Sequence, residues 1–216
     1  MSKEHSNLSL MMLRLGLCKE VDEVAVVTPD ESIADVAEMY NHTGAIVEGG
    51  DGEDLLGQMK AVADGQAFTV IVHIAGNQPL IDPMVVDALV RTLRKTPAHL
   101  VTCEKPHGCE MTVLSRMLLN QLDSRTKGMR RDLLEAADPS PIGARMMRLK
   151  AVETRFRFDV RDPGDQKFIR ALVEQEGPMA SIQTYARVAA LPEFNDLRVM
   201  DDPILTVLGD IEHGNH

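Results

Sequence analysis

The side chains best suited to chemistry fall in a few short stretches. The first is Gly76-Asn77-Gln78-Pro79-Leu80-Ile81-Asp82-Pro83, directly after the apolar run 68–74, FTVIVHI. Two amides and a carboxylate on a tight connection leaving a strand can bind a polar ligand, because ligands of open α/β sheets sit beyond the carboxyl ends of the strands. Asp82 also has a plainer use, as the cap of a helix opening at Pro83. The second stretch is Arg161-Asp162-Pro163-Gly164-Asp165. A guanidinium at 161 can hold a phosphate, or it can simply pair with Asp159 or Asp165. The third is the basic cluster 127–131, KGMRR, which suits an anion or a solvated helix start. Cys103, His107 and Cys109 could supply three ligands to a metal, but zinc sites space their cysteines by about two to four residues. Cys109 reads more simply as a half-buried thiol. His73, inside the apolar run, reads as a satisfied core or site-edge histidine, and His213 and His216 as solvated tail residues.

Alternating elements must position these groups. Residues 8–18 are apolar around most of a helical turn and predict a buried helix. Met11 and Met12 on it could present an apolar face to a partner. Residues 23–28 predict a strand ending before Pro29, and DESIADVAEMY a helix capped by Asp30 or Ser32. Residues 44–48 predict a short strand and 53–64 a helix. The run 68–74 is nearly all apolar, as in a central strand covered on both faces. A helix from Pro83 ends in Arg91, Arg94 and Lys95, matching helix polarity. Residues 99–103 predict a strand, and 108–122 pass from extended chain into a helix near Ser115. Residues 128–137 predict a helix, 154–160 an alternating strand, and two helices follow, one after the turn at 162–165 and one over 181–191. This order implies a mostly parallel sheet with helices on both faces. A single domain over 1–216 is expected, with 209–216 a frayed tail.

The composition narrows the function. Across 216 residues, 23 Lys and Arg stand against 33 Asp and Glu, a net charge of −10. Nucleic-acid binders carry basic surfaces and, for single strands, aromatic platforms; here aromatics are 3%. No apolar run approaches the roughly 20 residues of a membrane span. The N-terminal stretch lacks the basic flank and cleavage site of a signal peptide. Three cysteines make no disulfide framework, which points to a reducing cytoplasm.

The stretch IVHIAGNQPLIDPMVVDALVRTLRK resembles the central segment of the sugar-acid cytidylyltransferases, the acylneuraminate and 3-deoxy-manno-octulosonate enzymes, and most of all their spore-coat polysaccharide branch. There a strand is followed by Gly-Asp-x-Pro-Leu-Ile-x-Pro and a helix. The resemblance extends through VDEVAVVTPDESIADVAEMYNHTGAIVEGGDGEDLLGQMKAVADG, FRFDVRDPGDQKFIRAL and ARVAALPEFNDL, nearly the whole chain. It implies a nucleotide-diphospho-sugar transferase fold of Rossmann-like type. The implied activity is transfer of CMP from CTP to a sugar acid, for cell-surface polysaccharide, with Mg²⁺ offsetting phosphate charge. A homodimer or partner subunit is also implied.

By the same resemblance, Asn77, Asp165 and Arg131 stand at catalytic positions. Gly76, Gln78, Pro79, Asp82 and Arg161 stand at substrate-binding positions. The departures are specific. The family's first strand and Arg-rich phosphate loop have no counterpart, because SNLSLMMLRLGLCKEVDEV matches the helix that follows that loop. Asn77 replaces a metal-binding Asp, and Arg161 falls where a second one stands. The family's Glu after the fourth strand falls near Thr112, its Arg-Glu-His motif falls on Arg131-Asp132-Leu133, and Gln58 stands for an Arg. No residue is therefore assigned to a metal. Two readings follow: a cytidylyltransferase, or a non-catalytic binding or partner subunit of the same fold.

Overall fold

The computed structural model describes residues 6–50, 54–103, 106–122, 146–149, 151–152 and 154–197. The predicted helix at 128–137, the basic cluster 127–131 and the tail 209–216 lie outside these residues.

Helix α1 (Asn7–Leu15) is started by Ser6, whose side chain accepts from the Ser9 amide. Strand β1 (Ala25–Thr28), helix α2 (Ile33–Tyr40) and strand β2 (Ile46–Gly49) follow. A 3-10 turn over Asp30–Ser32, with Pro29 at its cap position, precedes α2. Helix α3 (Leu55–Gln66) is capped by Asp54, and β3 (Val70–Ile74) leads to α4 (Pro83–Lys95). Then come β4 (Leu100–Cys103), β5 (Met111–Ser115) and α5 (Arg116–Gln121), which starts at Ser115 as the sequence implies. Strand β6 (Met146–Leu149), helix α6 (Pro163–Glu176) and helix α7 (Ile182–Ala189) complete the set.

Two sheets form. One pairs β1 with β2 in parallel; the other has the order β3-β5-β4-β6. Strand β5 is antiparallel to both β3 and β4, and β4 is parallel to β6, so three strands of the larger sheet share a direction and β5 opposes them. Helices cover both faces. On one, Val86, Leu89, Val90 and Leu93 of α4 pack on Val101, Cys103, Met111 and Val113. On the other, Leu56, Met59 and Ala63 of α3 and Leu118 and Leu119 of α5 pack on Leu100 and Leu114. The α/β class follows directly from this alternation.

Four local expectations are corrected. Strand β3 is not central: it is an edge of its sheet, and all five of its residues are only half-buried. Its apolar run does match cover on both faces, by α4 on one and by α3 and α5 on the other. Residues 154–160 do not form a strand; Phe158 and Val160 donate their amides to the loop carbonyls of His107 and Asn77, at 2.8 and 2.9 Å. Cys109 is fully rather than half buried, and burial pushes its thiol well above the ordinary range. Met11 faces inward at 4% exposure, so α1 does not offer it to a partner. Strand β6 had no clear signal, since MMRL carries little β-branching.

Arg14 interrupts an apolar helix in the sequence, yet it is completely buried. Its Nε donates to the Ile81 carbonyl at 2.6 Å, and its two terminal nitrogens donate to Pro178 at 2.7 Å and Ala180 at 2.9 Å. Its guanidinium also lies 5.5 Å from the Tyr185 ring centroid. One side chain thus joins α1, the loop before α4 and the loop before α7.

Candidate functional site

The loop leaving β3 carries Gly76, Asn77, Gln78 and Pro79, with Gly76 and Asn77 exposed and Gln78 and Pro79 buried. Two other loops meet it. The Asn77 carbonyl accepts from the Val160 amide, which docks the 157–165 loop. The Gln78 side chain reaches the loop before β5, donating from Nε2 to Glu110 at 2.8 Å. A carboxylate can only accept, so this bond fixes the orientation of the Gln78 amide. Its Oε1 is buried and meets no donor among the described residues. Such an oxygen can receive a donor from a ligand.

Glu110 is a hub. Besides Gln78, it binds the Gly108 amide and His107 Nδ1, each at 2.8 Å. Gly108 has φ +86°, and a Cβ there would overlap the backbone of Phe158 and Asp159. Only glycine lets the two loops approach so closely.

The 157–165 loop is a chain of alternating charges. Arg157 donates to Asp159 at 3.0 Å and to Asp165 at 2.8 Å. Arg161 donates from Nε to Asp159 at 2.6 Å and from its amide to Asp165 at 2.7 Å. Asp159 and Asp165 are buried, whereas the Arg161 side chain is 60% exposed. The hydrogen bond to Asp159 raises the Arg161 pKa, so the guanidinium stays charged. Asp162 caps α6 through the Gly164 and Asp165 amides, and those bonds hold its carboxyl below the ordinary range.

The sequence candidates therefore divide. Gly76, Asn77, Gln78, Pro79 and Arg161 come together around the β3 loop. Asp165 lies beneath them, inside the charge chain. Asp82 sits further along at the start of α4, with Oδ1 accepting from Met84 and Oδ2 from Ile182, each at 2.9 Å. Arg131 lies outside the described residues. Thr112 is wholly buried on β5, and the half-buried carboxylate of Glu110 stands two positions earlier. Glu110, Arg157 and Asp159 are the members that sequence reasoning missed as site groups. Only the alternation Arg157-x-Asp159-x-Arg161 could have signalled two of them.

A cavity of about 600 Å³ opens beside this loop, between β1 and β3. Thr28, Pro29, Gly50, Gln58 and Gly76 line its end at the carboxyl termini of the strands. The chain passes there from the β1–β2 sheet to the larger one, so this crevice is where an α/β fold takes ligands.

The carboxylates of Asp82, Asp159 and Asp165 do not fit a divalent cation. Each oxygen of Asp82, Asp159 and Asp165 already accepts from an amide or a guanidinium. Mg²⁺ favours unencumbered charged oxygens. No cluster of three His, Cys, Asp or Glu with metal-ligand geometry occurs among the described residues.

Residues 10–140 match the family model described as cytidylyltransferase. A 3-deoxy-manno-octulosonate cytidylyltransferase of Syntrophotalea carbinolica is 35% identical over 80 residues, which is 36% of this chain and 31% of that protein. The matches span about a third of the length of the curated relatives. Among solved structures, a cytidylyltransferase from Leptospira borgpetersenii superposes with a TM-score of 0.73 at 20% identity, covering 87% of this chain and 84% of that one. A CMP:2-keto-3-deoxy-manno-octonic acid synthetase bound to CTP gives 0.59 at 16% identity, over 79% and 88% of the two chains. A manganese complex from Mycobacterium tuberculosis gives 0.56 at 17% identity, over 76% and 85%. At these identities the structures establish the fold. No described helix is long and apolar enough to cross a membrane.

Proposed function

The chain belongs to the cytidylyltransferase family, and from that premise we propose that it binds CTP in the crevice between β1 and β3 and serves transfer of CMP to a sugar acid. The observation that carries this reading is that Gly76 lines the carboxyl-end mouth of that cavity, with Asn77 and Gln78 next along the same loop. The octulosonate relatives support a 3-deoxy sugar acid as acceptor. In this reading the sugar hydroxyl attacks the α-phosphorus, the bond to pyrophosphate breaks, and the hydroxyl proton leaves to water. Gln78 Oε1 accepts from a nucleotide donor, and Arg161 faces phosphate. Mg²⁺, which the family chemistry implies, would enter with the nucleotide, because both oxygens of Asp82, Asp159 and Asp165 are already engaged. The three free thiols suit a cytoplasmic protein. A homodimer is the expected assembly.

A second reading keeps CTP binding without turnover, as a partner subunit. The commitment of Asp82, Asp159 and Asp165 to other donors favours it. Pyrophosphate release from CTP and Mg²⁺ with a panel of 3-deoxy sugar acids decides between the two. Release above the protein-free rate supports the transferase. CTP binding by calorimetry without release supports the partner subunit, and no binding at millimolar CTP overturns both.

A further inference from the structure

A polyphosphate needs positive charge beside it, and a protein can supply that charge in two ways. Carboxylates can hold a divalent cation, or a guanidinium can meet the phosphate oxygens directly. In the 157–165 loop these two ways exclude one another. The side chain of Arg157 is 11% exposed, and its two terminal nitrogens bridge Asp159 Oδ1 at 3.0 Å and Asp165 Oδ1 at 2.8 Å. Arg161 takes the second oxygen of each, with Nε on Asp159 Oδ2 at 2.6 Å and its amide on Asp165 Oδ2 at 2.7 Å. The Asp162 amide adds a further donor to Asp165 Oδ2 at 3.2 Å. A cation bound by either carboxylate would have to displace these donors, and it would then stand beside two guanidinium charges. The positive charge of this loop is already built in.

The same bonds aim Arg161. Its side chain is fastened at Nε yet is 60% exposed, so its two terminal nitrogens remain to meet a ligand as a fork. A guanidinium held at one edge loses little freedom when its other edge meets a phosphate. One residue earlier, the Val160 amide donates to the Asn77 carbonyl at 2.9 Å. That contact sets Arg161 beside the loop whose Gly76 lines the mouth of the cavity. Other acidic groups nearby are committed elsewhere. Glu110, whose charge reaches the Arg161 guanidinium, accepts from His107, Gln78 and Gly108. Asp162 is exposed and accepts from the first amides of α6.

We propose that Arg161, set in place by Asp159 and Arg157, gives the nucleotide phosphates the positive charge that a carboxylate-held Mg²⁺ would otherwise give, so that this chain binds CTP equally well with and without Mg²⁺. This rests on the nucleotide reading above and deepens it: the protein recognises the triphosphate itself rather than a cation bridging it to carboxylates. Arg161 is the group that touches phosphate. Asp159 and Arg157 act through it and are positioning residues.

The test is titration calorimetry of the full chain with CTP, once in EDTA and once in excess MgCl₂. The two dissociation constants are expected to agree within about threefold, since the guanidinium contact needs no metal. Arg161→Ala removes an exposed side chain, so it should keep the circular-dichroism spectrum and weaken CTP binding by about tenfold or more in both buffers. Asp159→Asn separates positioning from scaffolding. It should weaken CTP binding in the unaltered chain and add nothing in the Arg161→Ala background. An equal factor in both backgrounds overturns the positioning role. If Asp159→Asn does not fold, the comparison of buffers and Arg161→Ala still decide. CTP binding that strengthens by about tenfold or more with Mg²⁺, or that survives Arg161→Ala, overturns the proposal and leaves the nucleotide reading standing. Inorganic tripolyphosphate is the second probe. If the chain binds it in EDTA but does not bind CTP, and Arg161→Ala abolishes that binding, the nucleotide reading falls and the phosphate role of Arg161 is supported. Binding of neither probe overturns both.

Discussion

Cys18 is half-buried, yet its surroundings make it a poor nucleophile. Burial first, then the charges of Asp87 and Asp82, push its pKa up to about 12. Thiolate fraction sets alkylation rate. Against an ordinary value near 9, iodoacetamide at pH 8 should modify Cys18 roughly a thousandfold more slowly than a free thiol, and the rate should keep climbing with pH beyond pH 10. A plateau near pH 9 in mass-spectrometric labelling would contradict this. Gly108 is constrained in the opposite sense, by backbone rather than charge. At φ +86° and against Phe158 and Asp159, Gly108→Ala should cost at least about 2 kcal/mol in urea unfolding. Neither property was legible in the sequence, because each depends on segments far apart along the chain.

Among the elements, α4 shows how one carboxylate can be taken from a site and given to the scaffold. Asp82 caps α4 with one oxygen and receives the first amide of α7 with the other. Asp82→Ala should cost about 2–3 kcal/mol, since it loses a cap and leaves a buried amide unpaired. Asp82→Asn can still cap through its oxygen but cannot accept from Ile182 with its amide nitrogen, so it should fall between wild type and alanine. Equal losses for the two variants in thermal unfolding would show that the cap alone matters. The cap was legible from Asp-Pro before an amphipathic run; the tie to Ile182, 100 residues away, was not. The helices were legible because their apolar periodicity is local. The 154–160 segment misled because RFRF alternates as a strand does, while its amides bond to loops. The carboxylate of Glu110 was not singled out, because a short loop offers no periodicity to fix its register.

Over the whole molecule, the two sheets differ in cover. β4 is fully buried and β5 nearly so, whereas β1 and β2 are half-buried or exposed along their length. Native-state amide exchange should therefore show β1 and β2 opening at lower free energy than β4 and β5, which should exchange only with global unfolding. Equal protection across both sheets would mean that the cleft between them is closed in solution. The division into a β1–β2 pair and a larger sheet was not visible in the sequence, which reads only an alternation of strands and helices. The candidate loop was visible, because it follows the apolar run FTVIVHI at the carboxyl end of β3. The arginine pairing of Asp159 and Asp165 was half visible, in the alternation of charge through 157–165.

The buried guanidinium of Arg14 also bears on how the protein is made. Its carbonyl acceptors at Pro178 and Ala180 lie 164 and 166 residues downstream. Synthesis runs from the amino end, so α1 leaves the ribosome long before two of the three groups that satisfy it exist. Until then a charged side chain must stay hydrated, which keeps the apolar face of α1 from settling. A nascent chain stalled before residue 178 has cleared the exit tunnel should be cut readily near α1 by added protease, and one stalled well beyond residue 190 should resist. The earliest of the described helices to be synthesised is thus among the last to be locked in place.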